Sequence, residues 1–115
     1  MRLDYSEGGI FIRPGTTDMR KAANGLISLI DSAMGGNSFS GSLFLFCGKT
    51  RRILKAVYWE RNGFCLWQKR LERDCYPWPE TSEEARELTS EELAMLLDGI
   101  DFFHAHKRIS FEKAG

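Results

Sequence analysis

Along this chain the spacing of apolar residues changes several times, and each change marks an element. Gly9-Ile10-Phe11-Ile12-Arg13 reads as a short strand stopped by Pro14-Gly15. Met19, Ala22, Ala23, Leu26, Ile27, Leu29, Ile30 and Ala33 then recur at three- and four-residue spacing. That spacing predicts one amphipathic helix ending before Gly35-Gly36. Thr16 and Thr17 offer it a hydroxyl N-cap, and Asp18 puts a carboxylate in its first turn, where the helix dipole favours one. After the turn formers Asn37 to Ser42, Leu43–Cys47 is a continuous apolar run of strand length. Such a run predicts a central strand buried on both faces. The basic turn Gly48–Arg52 leads into a strand over Ile53 to Glu60. Asn62-Gly63 signals a hairpin, and Phe64 to Leu71 returns. With those two residues as the turn, Tyr58 faces Trp67, Trp59 faces Leu66, and Lys55 lies close to Arg70.

Further on, Arg73 to Pro79 predicts one more short strand ended by two prolines, and Glu83 to Leu88 reads equally as a helical turn or a strand. Thr89 with Glu92 three residues later is a capping box. Leu93, Leu96, Leu97 and Ile100 supply a buried stripe, and Gly99 marks the helix end. Together these elements predict an α+β fold. It is an antiparallel meander sheet of four to five strands, with one long N-terminal helix and one short C-terminal helix. They divide the chain into an N-terminal extension (1–8), a single domain (9–101) and a tail (102–115) without periodicity.

Composition adds mainly exclusions. A hydrophobic fraction of 43% with 28% charged residues of balanced sign suits a packed core, not a disordered tail. No apolar run approaches the roughly 18 residues of a membrane span. Met1 to Gly9 carries acids and no apolar stretch, so no secretory signal is read. The expectation is a cytoplasmic protein with no membrane partner. Cys47, Cys65 and Cys75 form neither a disulfide framework nor a zinc pattern and read as small buried hydrophobes. His104-Ala105-His106 lacks a third ligand close in sequence, so neither metal nor cofactor is expected.

Charge changes the picture more. Residues 9–79 hold eleven Lys or Arg against five Asp or Glu, whereas residues 80–101 hold one base and eight acids. Lys49, Arg51, Arg52 and Lys55 lie on or beside one turn, and Lys69, Arg70 and Arg73 lie on the returning strand and its exit. These seven are candidates for contacts to nucleic-acid phosphates. The alternative is a solvated set that guards a sheet edge. Arg13, Arg20 and Lys21 flank the first helix without a sharper reading. Tyr58, Trp59, Phe64, Trp67 and Tyr76 read as cross-strand and core packing more readily than as a stacking platform. Trp78, between two prolines, is the candidate for an exposed aromatic anchor. With Glu83, Glu84 and Glu87 of the acidic segment it forms the candidate protein-interaction surface. No nucleophile elbow, phosphate-binding glycine loop or metalloprotease helix is present, and the acids sit at capping and helix-surface positions. The reading is a protein that is not an enzyme.

Ordered segments across residues 9–101 also carry a family resemblance. They are Pro14-Gly15-Thr16-Thr17-Asp18-Met19-Arg20-Lys21, Gly25-Leu26, Phe39-Ser40-Gly41-Ser42-Leu43-Phe44-Leu45-Phe46, and Lys55-Ala56-Val57-Tyr58-Trp59-Glu60. Gly63 through Glu72, Trp78-Pro79, Leu88-Thr89, and Leu93 through Leu97 with Gly99-Ile100-Asp101 continue the series. The chain resembles the small accessory proteins (TnpB, Orf2-like) of insertion sequences of family sixty-six. Asn24 stands where that family's helix usually carries an acid, and Cys47 is not typical of its strand. The resemblance implies a role in transposition beside a separately encoded transposase of the same element, and it brings no catalytic residues with it. Two readings follow: an accessory factor that contacts DNA through the basic residues, or a module that docks the transposase without touching DNA. The oligomeric state stays open.

Overall fold

Leu43–Cys47 carries no charged or hydroxyl side chain, and in the computed structural model, which describes residues 8–84 and 86–101, it forms β2 with all five residues buried. The N-terminal extension up to residue 7 and the tail from Phe102, with His104 and His106, lie outside the described residues. A strand buried on both faces needs neighbours on both sides and a cover on each face. The neighbours are β1 (Ile10–Ile12) and β3 (Ile53–Glu60). Beyond them lie β4 (Gly63–Arg70) and the two-residue β5 (Glu87–Leu88), giving the order β4-β3-β2-β1-β5.

The sheet is mixed, not the purely antiparallel meander the pattern suggests. β2, β3 and β4 form that meander, but β1 runs parallel to β2, with Ile10 opposite Leu43. The helix α1 (Ala23–Ser32) is the reason. It connects β1 to β2, and a helical crossover returns the chain to the end where β1 began. β5 then closes the other edge, antiparallel to β1.

α1 is ten residues long, shorter than its apolar spacing predicts, and α2 (Ser90–Leu97) has eight. The residues ahead of α1 are held by the sheet instead. The Thr17 amide donates to the Cys47 carbonyl at 2.8 Å, and a Cβ on Gly48 would meet the Met19 side chain at 2.6 Å. Thr17 is therefore no N-cap; its buried hydroxyl accepts from the Arg13 guanidinium at 3.0 Å. Asp18 closes a local turn, accepting from the Arg20 amide and guanidinium, and the Ala22 N-cap makes no side-chain capping bond.

α1 covers one face of the sheet, where Leu26 and Ile30 pack on Phe44, Phe46 and Val57. Lys55 also lies on this face and is buried. Its Nζ donates to the carbonyls of Met19 (2.7 Å) and Lys21 (3.0 Å), fastening the lead-in of α1 to β3. On the other face, Leu93 and Leu96 of α2 join Tyr76 and Trp78 over Ile10, Ile12, Leu45, Leu54 and Ala56. The Arg73–Pro79 segment is thus a packed coil and not a strand. The prolines deny it ladder bonds, and its two aromatics fill the face instead. Trp78 is buried, 1% exposed, and its Nε1 donates to the Arg13 carbonyl at 2.8 Å. It is a core residue and not an exposed anchor.

The β3–β4 hairpin forms with a register two residues from the expected one. Glu60 faces Gly63, so Arg61 and Asn62 make the turn, Arg61 at φ 48°; Trp59 faces Phe64 and Tyr58 faces Cys65. A two-residue shift keeps every side chain on its expected face. It also brings Trp59 and Phe64 edge to face at 5.0 Å, with Phe39 beside both. α2 begins as its sequence predicts. Thr89 Oγ accepts from the Glu92 amide, the Glu92 carboxylate accepts from the Thr89 amide, and Gly99 (φ 77°) follows its end. Among the described residues no helix is long and apolar enough to cross a membrane.

Three expectations rest on this packing. Trp78→Ala removes the largest fully buried side chain and leaves the Arg13 carbonyl without its donor. It is expected to lower unfolding free energy by about 3–5 kcal/mol, read from the urea midpoint. Lys55→Met leaves two partly buried carbonyls unpaired and should cost about 1–3 kcal/mol in the same measurement. The third concerns pH. The Arg86 side chain, then the Thr89 amide, hold the Glu92 carboxyl below the usual carboxylate range, so the folded chain binds the Glu92 proton less readily than the unfolded chain. The resulting stabilisation is complete above the unfolded value of about 4.3 and is lost as pH falls through the lower folded value. The stability gap between the wild-type chain and Glu92→Gln should therefore shrink below pH about 4; a gap that widens there contradicts the ion pair.

Candidate nucleic-acid interface

Strand direction decides which residues meet. β1 and β2 are parallel, so the segments leaving them, from Arg13 and from Gly48, emerge at one end of the sheet. β3 starts at that end and β4 finishes there, with Arg70 opposite Ile53. Backbone bonds tie the pieces together: Leu71 donates to the Arg52 carbonyl at 2.8 Å and Tyr76 to the Arg51 carbonyl at 2.7 Å. Three stretches far apart in sequence, 13–21, 49–52 and 70–73, thus share one end of the molecule.

The seven candidate cations do not behave alike there. Lys55 points into the α1 face and is consumed by two carbonyls. It faces Gln68, not Arg70, so the expected Lys55–Arg70 convergence is absent. Lys69 lies on the opposite face, where its Nζ donates to the Leu97 carbonyl at 2.9 Å, a cation at the C-terminal end of α2 where the dipole favours it. Arg51, at φ 61°, clamps the coil below it, donating to the Trp78 carbonyl (3.1 Å) and the Glu80 carboxylate (2.8 Å). Arg52 is exposed and reaches the Glu72 carbonyl at 3.3 Å. Lys49, Arg70 and Arg73 are exposed and have no hydrogen-bond or ion-pair partner among the described residues. Lys21, read from the sequence only as a helix flank, joins them as an exposed cation.

A groove of about 530 Å³ crosses this end, walled by Thr16–Arg20 on one side and Gly48–Thr50 with Ile53 on the other. Its carboxylate, Asp18, is engaged by Arg20 at 2.8 Å. The hydrogen bonds from Arg20 hold the Asp18 carboxyl down at about 2, so it stays ionised at every working pH. The groove therefore carries one paired acid beside Lys49.

The acidic segment starts at the basic end, where Glu80 meets Arg51, and runs on to β5 at the sheet's other edge. Glu83 and Glu87 are exposed; Glu84 accepts from the Glu80 amide, and Arg86 pairs with Glu92 at 2.6 Å. With Trp78 buried, this segment presents carboxylates without the expected aromatic. Among the described residues no cluster of His, Cys, Asp and Glu could hold a metal ion. Burial pushes the Cys47 thiol and the Tyr76 phenol up to about 12 each, so both are protonated at neutral pH. Cys47 fits the small-hydrophobe reading, whereas Cys75 is exposed and its Sγ contacts the Thr50 carbonyl at 3.4 Å.

Sequence reasoning passed over the exposed apolar residues Phe39 and Leu66, and Ile100, expected in the buried stripe of α2, lies beyond the helix end and is exposed. Phe39 lies in a loop with no period to flag it, and Leu66 alternates correctly on a strand whose outer half one helix fails to cover.

The chain matches the family described as IS66 Orf2-like protein over residues 9–107. It is similar to the uncharacterized protein y4hO of Sinorhizobium fredii, 32% identical over 92% of each chain. It is also similar to the uncharacterized protein y4jC of the same organism, 28% identical over 86% of this chain and 85% of that one. No solved structure matches it. This chain belongs to the IS66 Orf2-like family of insertion-sequence proteins.

Proposed function

We propose that this chain is a non-catalytic accessory factor of IS66 transposition that holds DNA by its backbone at the basic end of the sheet while assisting the separately encoded transposase. One observation carries the reading: Lys49 from one segment and Arg70 with Arg73 from another come to one end and are exposed without a partner among the described residues. Arg52 and Lys21 extend the same surface. Exposed guanidinium and ammonium groups without carboxylate partners suit phosphate oxygens, which reward charge and position without reading bases. Lys55, Lys69 and Arg51 belong to the scaffold in this account, because their donors are used by carbonyls or by Glu80. The acidic residues Glu83, Glu84 and Glu87 remain candidates for a contact with the transposase, without Trp78.

Fluorescence anisotropy with the element's terminal repeat and with an unrelated duplex, across a salt series, tests the proposal. Neutralising about four phosphates predicts a log–log salt slope of roughly −3 to −4 on both DNAs. Lys49→Glu combined with Arg73→Glu should flatten that slope and weaken binding at least about tenfold, while leaving the melting temperature unchanged. Absence of binding at low salt, or a double variant that binds normally, overturns the DNA-contact reading.

A further inference from the structure

The sheet's two edges are unequal. β5 ends one of them with two residues, whereas β4 runs eight residues with unbroken pairing to β3 on its inner side and no strand on its outer side among the described residues. Edge strands are usually guarded by a proline, a bulge or an inward charge. β4 contains no proline and no bulge, and its charges, Lys69 and Arg70, sit only at its last two positions, leaving Gly63 to Gln68 without one.

Its α1-side face is also incompletely covered. Opposite residues in an antiparallel pair share a face, so Phe64, Leu66, Gln68 and Arg70 lie on the side of Trp59, Val57, Lys55 and Ile53. α1 packs over Val57, Phe44 and Phe46, and of β4 only Phe64 packs against that cluster. Leu66 is left 43% exposed, and Phe39, edge-on to Trp59 and tilted against Phe64, is 61% exposed. The apolar stretch is bracketed by two exposed guanidiniums, Arg61 in the hairpin turn and Arg70 at the strand's end. Neither has a partner among the described residues. No carboxylate lies on β4 itself.

We propose that the outer edge of β4 is a docking surface for an extended segment of a partner protein, one that adds a sixth strand to the sheet. Charge selects the occupant. A second copy of this chain paired edge to edge would bring its own Lys69 and Arg70 and no carboxylate within the strand. A segment with apolar residues at alternate positions and acids at both ends satisfies every feature. Its backbone takes the unpaired edge, its side chains cover Leu66 and Phe39, and its acids meet Arg61 and Arg70. From Gly63 to Arg70 the strand spans about 23 Å, so the segment needs about seven to nine residues. Its edge pairing and apolar cover are independent of the DNA contact proposed above; Arg70 is shared with that reading, whereas Arg61 and Leu66 are not, so variants at those two test this surface separately.

The test uses the full chain, immobilised, to select from a displayed library of random peptides about nine residues long. Enriched peptides should alternate apolar residues between acidic ends and protect the amides of β4 from hydrogen exchange when bound. Leu66→Lys, an exposed change that leaves the fold intact, should weaken them at least about tenfold. Arg61→Asn removes a bracketing charge and tolerates the left-handed turn conformation; it should weaken them severalfold. Three results overturn the proposal. One is enrichment of peptides without acids. Another is binding indifferent to Leu66→Lys and Arg61→Asn. The third is a sedimenting dimer that Leu66→Lys dissociates, which would make a second copy the occupant.

Discussion

Everything in this fold answers to the burial of β2 on both faces. A five-residue apolar strand in the middle of a sheet leaves each face open to water unless something lies on it, and burying one such side chain is worth about 1.5–3 kcal/mol. Two covers are therefore needed, and the chain supplies them from opposite sides of β2 in sequence. α1 comes before β2, and because it also bridges β1 to β2 it makes that pair parallel. The cover for the other face comes after the hairpin, from Tyr76, Trp78 and α2. Once β1 and β2 are parallel and β3 and β4 fold back, the exits of β1, β2 and β4 coincide. The basic end of the molecule is thus a consequence of how its core is covered.

That geometry divides the cations into two kinds that sequence cannot separate. A lysine ammonium removed from water needs acceptors, and Lys55 finds them in the Met19 and Lys21 carbonyls ahead of α1, whose residues 16–19 are held against Cys47 and Gly48. Arg51 and Lys69 do the same for the coil carbonyl at Trp78 and the end of α2. Lys49, Arg70 and Arg73 are exposed and make no such bond among the described residues. Spacing places all of them near one turn and one strand; only the direction in which each side chain leaves the sheet tells anchoring from availability.

Much of the fold was legible because its signals are local. The capping box of Thr89 and Glu92, the apolar run of β2 and the β3–β4 hairpin all depend on residues within one element or one turn. Non-local effects hid the remainder. The start of α1 was misread because Thr17 and Met19 obey Cys47 and Gly48, nearly thirty residues away, more than their own helical spacing. The hairpin turn fell on Arg61-Asn62 and not on Asn62-Gly63, a register that sets Trp59 against Phe64 across the strands. Trp78 between two prolines looked like an anchor because prolines exclude it from a strand. They do not exclude it from a core, and a coil that covers the sheet can bury what a ladder cannot hold.

The same cover explains the unequal edges. α1 is ten residues, about 15 Å of helix, and it lies over β2 and the middle of β3. Strands about 4.8 Å apart put β4 at the margin of a single helix centred there, so Phe64 still joins its cluster while Leu66 is left exposed. From Cys65 onward β4 alternates half-buried and exposed residues, against the unbroken burial of β2. At the other edge, β5 is too short to leave a long unpaired ladder, and the residues around it are acidic. A chain that packs one helix per face over five strands must leave some strand uncovered. In this chain that strand is the long one, cationic and apolar, and the short acidic strand is left at the edge that offers least to pair with.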